Sequence, residues 1–139
     1  MRKLFKEMKK DFTPFAFKIS GNLIKTSEDV SVREVARLLA RNKIGALIVE
    51  NKGRMSGIIS ERDVVWKVVA LGKSLDKTRA RDIMTRDVVS VDLDAGMEAV
   101  YETMRKASFR HFPVRKGDRI IGMVSTRDLM YLRNLKVSG

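Results

Sequence analysis

The chain has 139 residues and a mass of 15.8 kDa, enough for one compact domain or two small units sharing a core. With no Cys and a single His, His111, it excludes disulfides, thiol nucleophiles, Cys-ligated zinc, iron–sulfur clusters and multi-histidine chemistry within one chain. Its 29 Lys and Arg against 17 Asp and Glu leave a formal charge of +12, which directs attention to nucleic acid or an anionic small molecule.

Residues 1–16 are a basic segment in which Leu4, Phe5 and Met8 are spaced to line one side of an expected short helix. Packing on the body or on a second subunit is expected; three apolar side chains make a poor membrane anchor. No apolar run approaches the roughly 18 residues of a membrane span, and the N-terminus lacks the apolar core of a signal peptide. A soluble, cytoplasmic chain that does not engage a membrane is the expectation.

A short extended stretch, Leu23–Thr26, comes next. Val32, Val35, Ala36 and Leu39 then stand at i, i+3, i+4 and i+7, which predicts a helix over 31–42. Ser31 and Glu34 form a capping box at its start. Ala46–Val49 is a brief apolar run before Asn51-Lys52-Gly53, and Met55–Ile59 follows; these read as two strands around a turn. A second helix opens at Ser60. Residues 71–79 carry few strong hydrophobics and are expected to be a linker.

The same order then recurs. Val88–Val91 is extended, 96–107 is helical with Asp94 as its expected cap, Phe112–Val114 and Ile120–Val124 are strands around Lys116-Gly117-Asp118, and a helix opens at Ser125. Sliding the chain by 65 residues places 31–67 on 96–132 without a gap. Seven of these 37 positions are identical (Val35, Val49, Arg54, Gly57, Ser60, Arg62 and Asp63), and six of the seven fall within 49–63. Concentration in one stretch, together with matched periodicity, argues for duplication. The expected fold is α+β: two β-α-β-β-α copies, 17–70 and 80–135, packed face to face with pseudo-twofold symmetry. About 50 residues each are too few to bury a core well alone.

Ser60-Glu61-Arg62-Asp63 and Ser125-Thr126-Arg127-Asp128 each follow a strand and open a helix. As capping patterns they use the Ser and the Asp. A ligand reading uses all of the recurring residues. Backbone N–H groups at a helix start and an Arg fork suit phosphate oxygens. A carboxylate beside them accepts from the two hydroxyls of a ribose. Gly on the preceding strand lets another backbone approach. Phosphate donors and a diol acceptor one turn apart describe a nucleotide site.

These residues resemble a tandem pair of CBS domains, or Bateman module. The resemblance rests on Gly57-Ile-Ile-Ser-Glu-Arg-Asp63, Gly122-Met-Val-Ser-Thr-Arg-Asp128, Arg110-His-Phe-Pro-Val114 and Ala80-Arg-Asp-Ile-Met-Thr-Arg-Asp-Val-Val-Ser-Val91, and covers about 17–133. It implies a stand-alone regulatory module, not an enzyme. Such a module binds AMP, ADP, ATP or S-adenosylmethionine between its repeats, needs no other cofactor, forms homodimers and signals to a partner enzyme or transporter. It also implies residue roles. Asp63 and Asp128 would hold ribose hydroxyls, Ser60 and Ser125 would contact ribose or phosphate, and Arg62 and Arg127 would face phosphate. Thr85 and Ser90 would join Asp63, and Ser20 and Lys25 would join Asp128. Gly45 and Ala46, and Arg110 and His111, would line the clefts. Departures are Ile48, where the family often has Pro, and the opening stretch Phe17–Thr26, a poorer match than 80–91.

Trp66 and Tyr131 fall on the same helical position and are expected to pack in the core or a dimer contact. The alternative function is nucleic-acid binding, for which Arg33, Arg37 and Arg41 supply a stripe at i, i+4 and i+8. The chain carries no helix-turn-helix, zinc-knuckle or RNP-type signature beside it.

Overall fold

The computed structural model describes residues 23–92 and 94–127. The described residues divide into two compact units, Leu23–Val88 and those from Val89 onward. The fold is α+β, with one three-stranded sheet and its helices in each unit.

In the first unit β1 (Lys25–Ser27) runs parallel to β2 (Ala46–Asn51), and β2 is antiparallel to β3 (Arg54–Ser60). A parallel pair needs a crossover, which α1 (Val32–Asn42) supplies. The Ser31 Oγ accepts the Glu34 N–H at 3.2 Å, so the predicted cap is in place. The helix stops at Lys43, whose φ of 52° is left-handed and whose N–H returns to the Ala40 carbonyl. Val32 and Val35 are fully buried and Leu39 nearly so, as the spacing predicts. They pack with Leu47, Val49, Ile59, Val64 and Val68. The hairpin turns on Lys52 and Gly53, both at positive φ (53° and 76°), the backbone of a two-residue turn matched to strand twist.

The second unit repeats this frame. β4 (Val91–Asp92) is parallel to β5 (His111–Lys116), which is antiparallel to β6 (Arg119–Ser125). Val49 faces Gly57 and Val114 faces Gly122; Ala46 faces Ser60 and His111 faces Ser125. Both hairpins carry an irregularity one residue after the Val–Gly pair. The 65-residue offset thus holds in three-dimensional register as well as in sequence. Phe112, Val114, Val124, Val100, Met104 and Val91 form the second core.

Three features differ from expectation. The cap of the second long helix, here α4 (Met97–Lys106), is Gly96 at φ 86°, not Asp94. Asp94 instead donates its N–H to the Asp92 side chain in a local turn. Residues 80–83 form a short helix, α3 (Ala80–Ile83), with Ala80 and Ile83 buried in the first core; the helix at Ser60 is α2 (Glu61–Val64) followed by a π-helical turn, Val65–Val69. The segment 71–79 is bonded into the first unit. Val32 and Arg33 at the start of α1 donate N–H groups to the Thr78 and Leu75 carbonyls at 2.9 and 3.0 Å. A helix start has unpaired N–H donors, and backbone carbonyls satisfy them whatever side chains they carry, so sparse hydrophobicity gave no hint of it.

Arg33 also grips Asp76 through two hydrogen bonds, at 2.6 and 3.2 Å. The Arg33 hydrogen bond, aided by the charges of Arg33 and Arg37, holds the Asp76 carboxyl below the ordinary carboxylate range. A lowered acid stabilises the fold above its ordinary value and loses that contribution as pH falls through the lowered one. Asp76→Asn is therefore expected to lower Tm slightly at neutral pH, with the difference shrinking below about pH 4. A difference that is constant from neutral to acid pH contradicts this.

Candidate functional site

The first signature sits where β3 hands over to α2. Ser60 is still extended (φ −103°, ψ 165°) and its Oγ accepts the Asp63 N–H at 3.3 Å. In return Asp63 Oδ2 accepts the Ser60 N–H at 2.8 Å and the Ser60 hydroxyl at 3.1 Å. This is a full capping box. The Glu61 N–H donates to the Gly45 carbonyl at 2.9 Å, and Ala46 pairs with Ser60 across the hairpin. Gly45, Ala46, Ser60 and Asp63 are therefore brought together, with Ala46 buried and Gly45 half-buried.

Thr85 joins them from a distant part of the chain. Its N–H donates to the Ile58 carbonyl at 2.9 Å, and its carbonyl accepts the Ile58 N–H at 3.0 Å. It thereby extends the sheet edge two residues before Ser60. Gly57 is what admits it: a Cβ on Gly57 would lie 2.8 Å from the Thr85 carbonyl oxygen and 2.9 Å from the Met84 side chain. The glycine of the signature is required by close approach, not by a special φ.

Lys67 was not singled out in sequence and belongs to the site. Its ammonium lies 2.8 Å from Asp63 Oδ1 and 2.9 Å from the Ile83 carbonyl. The sequence signal was an acid and a base at i, i+4. Arg62 takes a position that the phosphate role did not foresee. Its guanidinium lies over the Trp66 ring, 4.9 Å from the centroid, and Trp66 is 62% exposed, so of the two expected places, core or dimer contact, the core is the one it does not take.

The second signature repeats the scaffold of the first. Thr126 donates its N–H to the Arg110 carbonyl at 2.8 Å, the counterpart of Glu61 to Gly45. His111 pairs with Ser125 across β5 and β6 and is half-buried; Arg110 and Arg127 are exposed. Ser90 is half-buried just before β4. Ser20 and Asp128 lie outside the described residues. Lys25, expected beside Asp128, pairs with Glu50 at 3.2 Å.

A polar cleft of about 420 Å³ lies at the opposite end of the first sheet, lined by residues of 25–29 and 50–53. Of the predicted site residues it holds Lys25 alone, and its walls are charged loop and strand ends; the capping-box end has the built chemistry. Among the described residues no cluster of His, Asp and Glu could hold a metal ion, and no helix is long and apolar enough to cross a membrane.

Duplicated three-stranded frames, each ending in a Ser-x-Arg helix start, define a tandem-repeat α+β module. The chain belongs to the CBS-domain family, whose profile matches residues 16–70 and 80–134. An uncharacterised protein of Methanopyrus kandleri is 35% identical over 99 residues, 70% of this chain and 50% of that protein. A mitochondrial CBS domain-containing protein of Arabidopsis thaliana, CBSX3, is 30% identical over 115 residues, 79% of this chain and 56% of that one. The chain thus spans about half the length of these two relatives. A solved CBS-domain structure, NE2398, has a TM-score of 0.73 at 33% identity, over 79% of this chain and 86% of its own. The CBS domain pair of MJ0100, solved with 5-methylthioadenosine and S-adenosyl-L-methionine, has a TM-score of 0.73 at 28% identity, over 85% and 93%.

Gly57→Ala is expected to destabilise the protein by about 1–3 kcal/mol, because backbone on the far side of the new Cβ has nowhere to go. Urea unfolding checks this. An unchanged midpoint would mean that the Thr85 segment is not held against Gly57.

Proposed function

We propose that the chain is a regulatory module that binds an adenosine-containing ligand (AMP, ADP, ATP or S-adenosylmethionine) at its two signatures and passes the bound state to a partner enzyme or transporter. The observation that carries this reading is a carboxylate, Asp63, fixed at the helix start that follows the strand Thr85 joins at Ile58. Ribose hydroxyls suit the carboxylate, and phosphate suits the Arg62 guanidinium, which leaves the Trp66 ring to reach it. Asp128, Ser125 and Arg127 take the corresponding roles in the second copy, with Arg110 and His111 beside them. Thr85 and Ser90 complete the Asp63 site, and Ser20 and Lys25 the Asp128 site. The adenosine ligands of the MJ0100 pair support the ligand class.

The module acts without chemistry of its own and works as a homodimer in the cytoplasm. Exposed Val65, Trp66, Val69 and Leu71 beside the first signature support self-association. Nucleic-acid binding has weaker support, since Arg33, the first residue of the basic stripe, is committed to Asp76.

Saturating AMP or S-adenosylmethionine is expected to raise Tm by several degrees, with about 2.7 kcal/mol gained at a ligand concentration of 100 Kd. Asp63→Ala and Asp128→Ala should each remove one binding event by calorimetry. No shift with any adenosine ligand in ligand-free protein, or unchanged stoichiometry in the double variant, contradicts the reading. Retention on duplex DNA that falls steeply with salt would favour nucleic acid instead.

A further inference from the structure

The Asp63 carboxylate has more partners than a cap requires. A carboxylate offers about four lone-pair positions. Oδ2 accepts from the Ser60 N–H and the Ser60 hydroxyl, and Oδ1 accepts from Lys67. Lys67 is also the one residue described here that ties this carboxylate to the Ile83–Thr85 segment, through the Ile83 carbonyl at 2.9 Å. That segment meets β3 through the paired Ile58 and Thr85 backbone groups. The Asp63 side chain is 14% exposed and that of Lys67 43%, so the ammonium reaches inward from a partly open stem.

The π-helical turn is part of this arrangement. Lys67 lies in the middle of Val65–Val69, the stretch with i→i+5 bonding, marked by the Ala70 N–H on the Val65 carbonyl at 2.8 Å. The position is specific to the first copy. Sixty-five residues on, the sequence has Leu132 where the first copy has Lys67. A leucine cannot donate to a carboxylate, so the two copies differ in sequence at the fourth residue after their aspartates.

We propose that Lys67 is a positioning residue of the first signature: a strap that holds the Asp63 carboxylate and the Ile83–Thr85 segment in one geometry. Its ligand consequence rests on the adenosine reading above. One acceptor position on Asp63 is open, whereas a ribose diol brings two donors. Ribose binding therefore takes over either the Lys67 or the Ser60 hydroxyl contact, and Lys67 sets both the orientation and the cost of that exchange. Lys67 acts through Asp63 and not on phosphate, so its removal changes the affinity for adenosine and for AMP alike.

The strap is tested first without ligand, by amide hydrogen exchange on the full chain. Lys67→Met and Lys67→Gln keep the stem and remove the charge; each should speed exchange of the Thr85 and Ile58 amides several-fold, while the amides of β5 and β6 stay as they were. Lys67→Arg, which keeps donors for both oxygens, should restore most of the protection. Unchanged exchange at Thr85 in both neutral variants overturns the proposal, as does acceleration that Lys67→Arg fails to reverse. Calorimetry in an Asp128→Ala background then counts the first site alone. Lys67→Met should change the affinities for adenosine and AMP by the same factor, about tenfold. Loss confined to AMP would make Lys67 a phosphate contact and overturn its action through Asp63. If the parent variant binds neither ligand while exchange at Thr85 responds, the adenosine reading fails and the strap stands.

Discussion

Two backbone hydrogen bonds, between Ile58 and Thr85, set the rest of the first unit in place. They join residues 27 apart in sequence at a sheet edge, and they form because Gly57 offers no Cβ at the point of approach. From that junction β3 runs on to Ser60, whose cap starts α2 and fixes Asp63. The chain after Thr85 leads to the second copy, and the chain before it supplies Ile83 to the core and a carbonyl to Lys67. Removing the glycine would push on backbone, which cannot rotate aside as a side chain can.

The net charge of +12 takes on a narrower meaning beside these contacts. Part of the basic surface is committed locally: Arg33 to Asp76, Arg105 and Lys106 to Glu102, Arg115 to Asp92, Lys67 to Asp63 and Arg62 to the Trp66 ring. The exposed pairs among these contribute little stability each, and salt screens them. What they do is orient. Arg33 fastens 71–79 against the start of α1, and Lys67 orients the carboxylate on which the proposed ribose contact depends.

The strands and hairpins were legible in sequence because brief apolar runs ended at residues suited to positive φ, and because the whole pattern recurred 65 residues later. That offset is reproduced pair by pair, from Ala46–Ser60 with His111–Ser125 to Val49–Gly57 with Val114–Gly122. The Ser60–Asp63 cap was legible because capping is a local interaction with a fixed spacing. Three features were hidden for a common reason: each depends on a partner that sequence spacing does not reveal. Residues 71–79 bond through carbonyls, Asp94 yields its cap position to a glycine while binding in the Asp92 turn, and Trp66 gives its face to Arg62 outside the core. Lys67 lay in plain view at i+4 from Asp63, but its second partner, the Ile83 carbonyl, is known only from the fold.

The proposed adenosine ligand is read where the last strand of each sheet hands over to a helix, at Ser60 and at Ser125. Backbone amide chemical shifts, followed while AMP or S-adenosylmethionine is added to ligand-free protein, test it most directly. Saturable shifts are expected, largest at Ser60–Asp63 and Met84–Thr85 and at Ser125–Arg127. Shifts confined to the hairpin turn around Glu50 and Lys52, or to Arg37 and Arg41 on α1, would contradict it, as would the absence of any saturable shift.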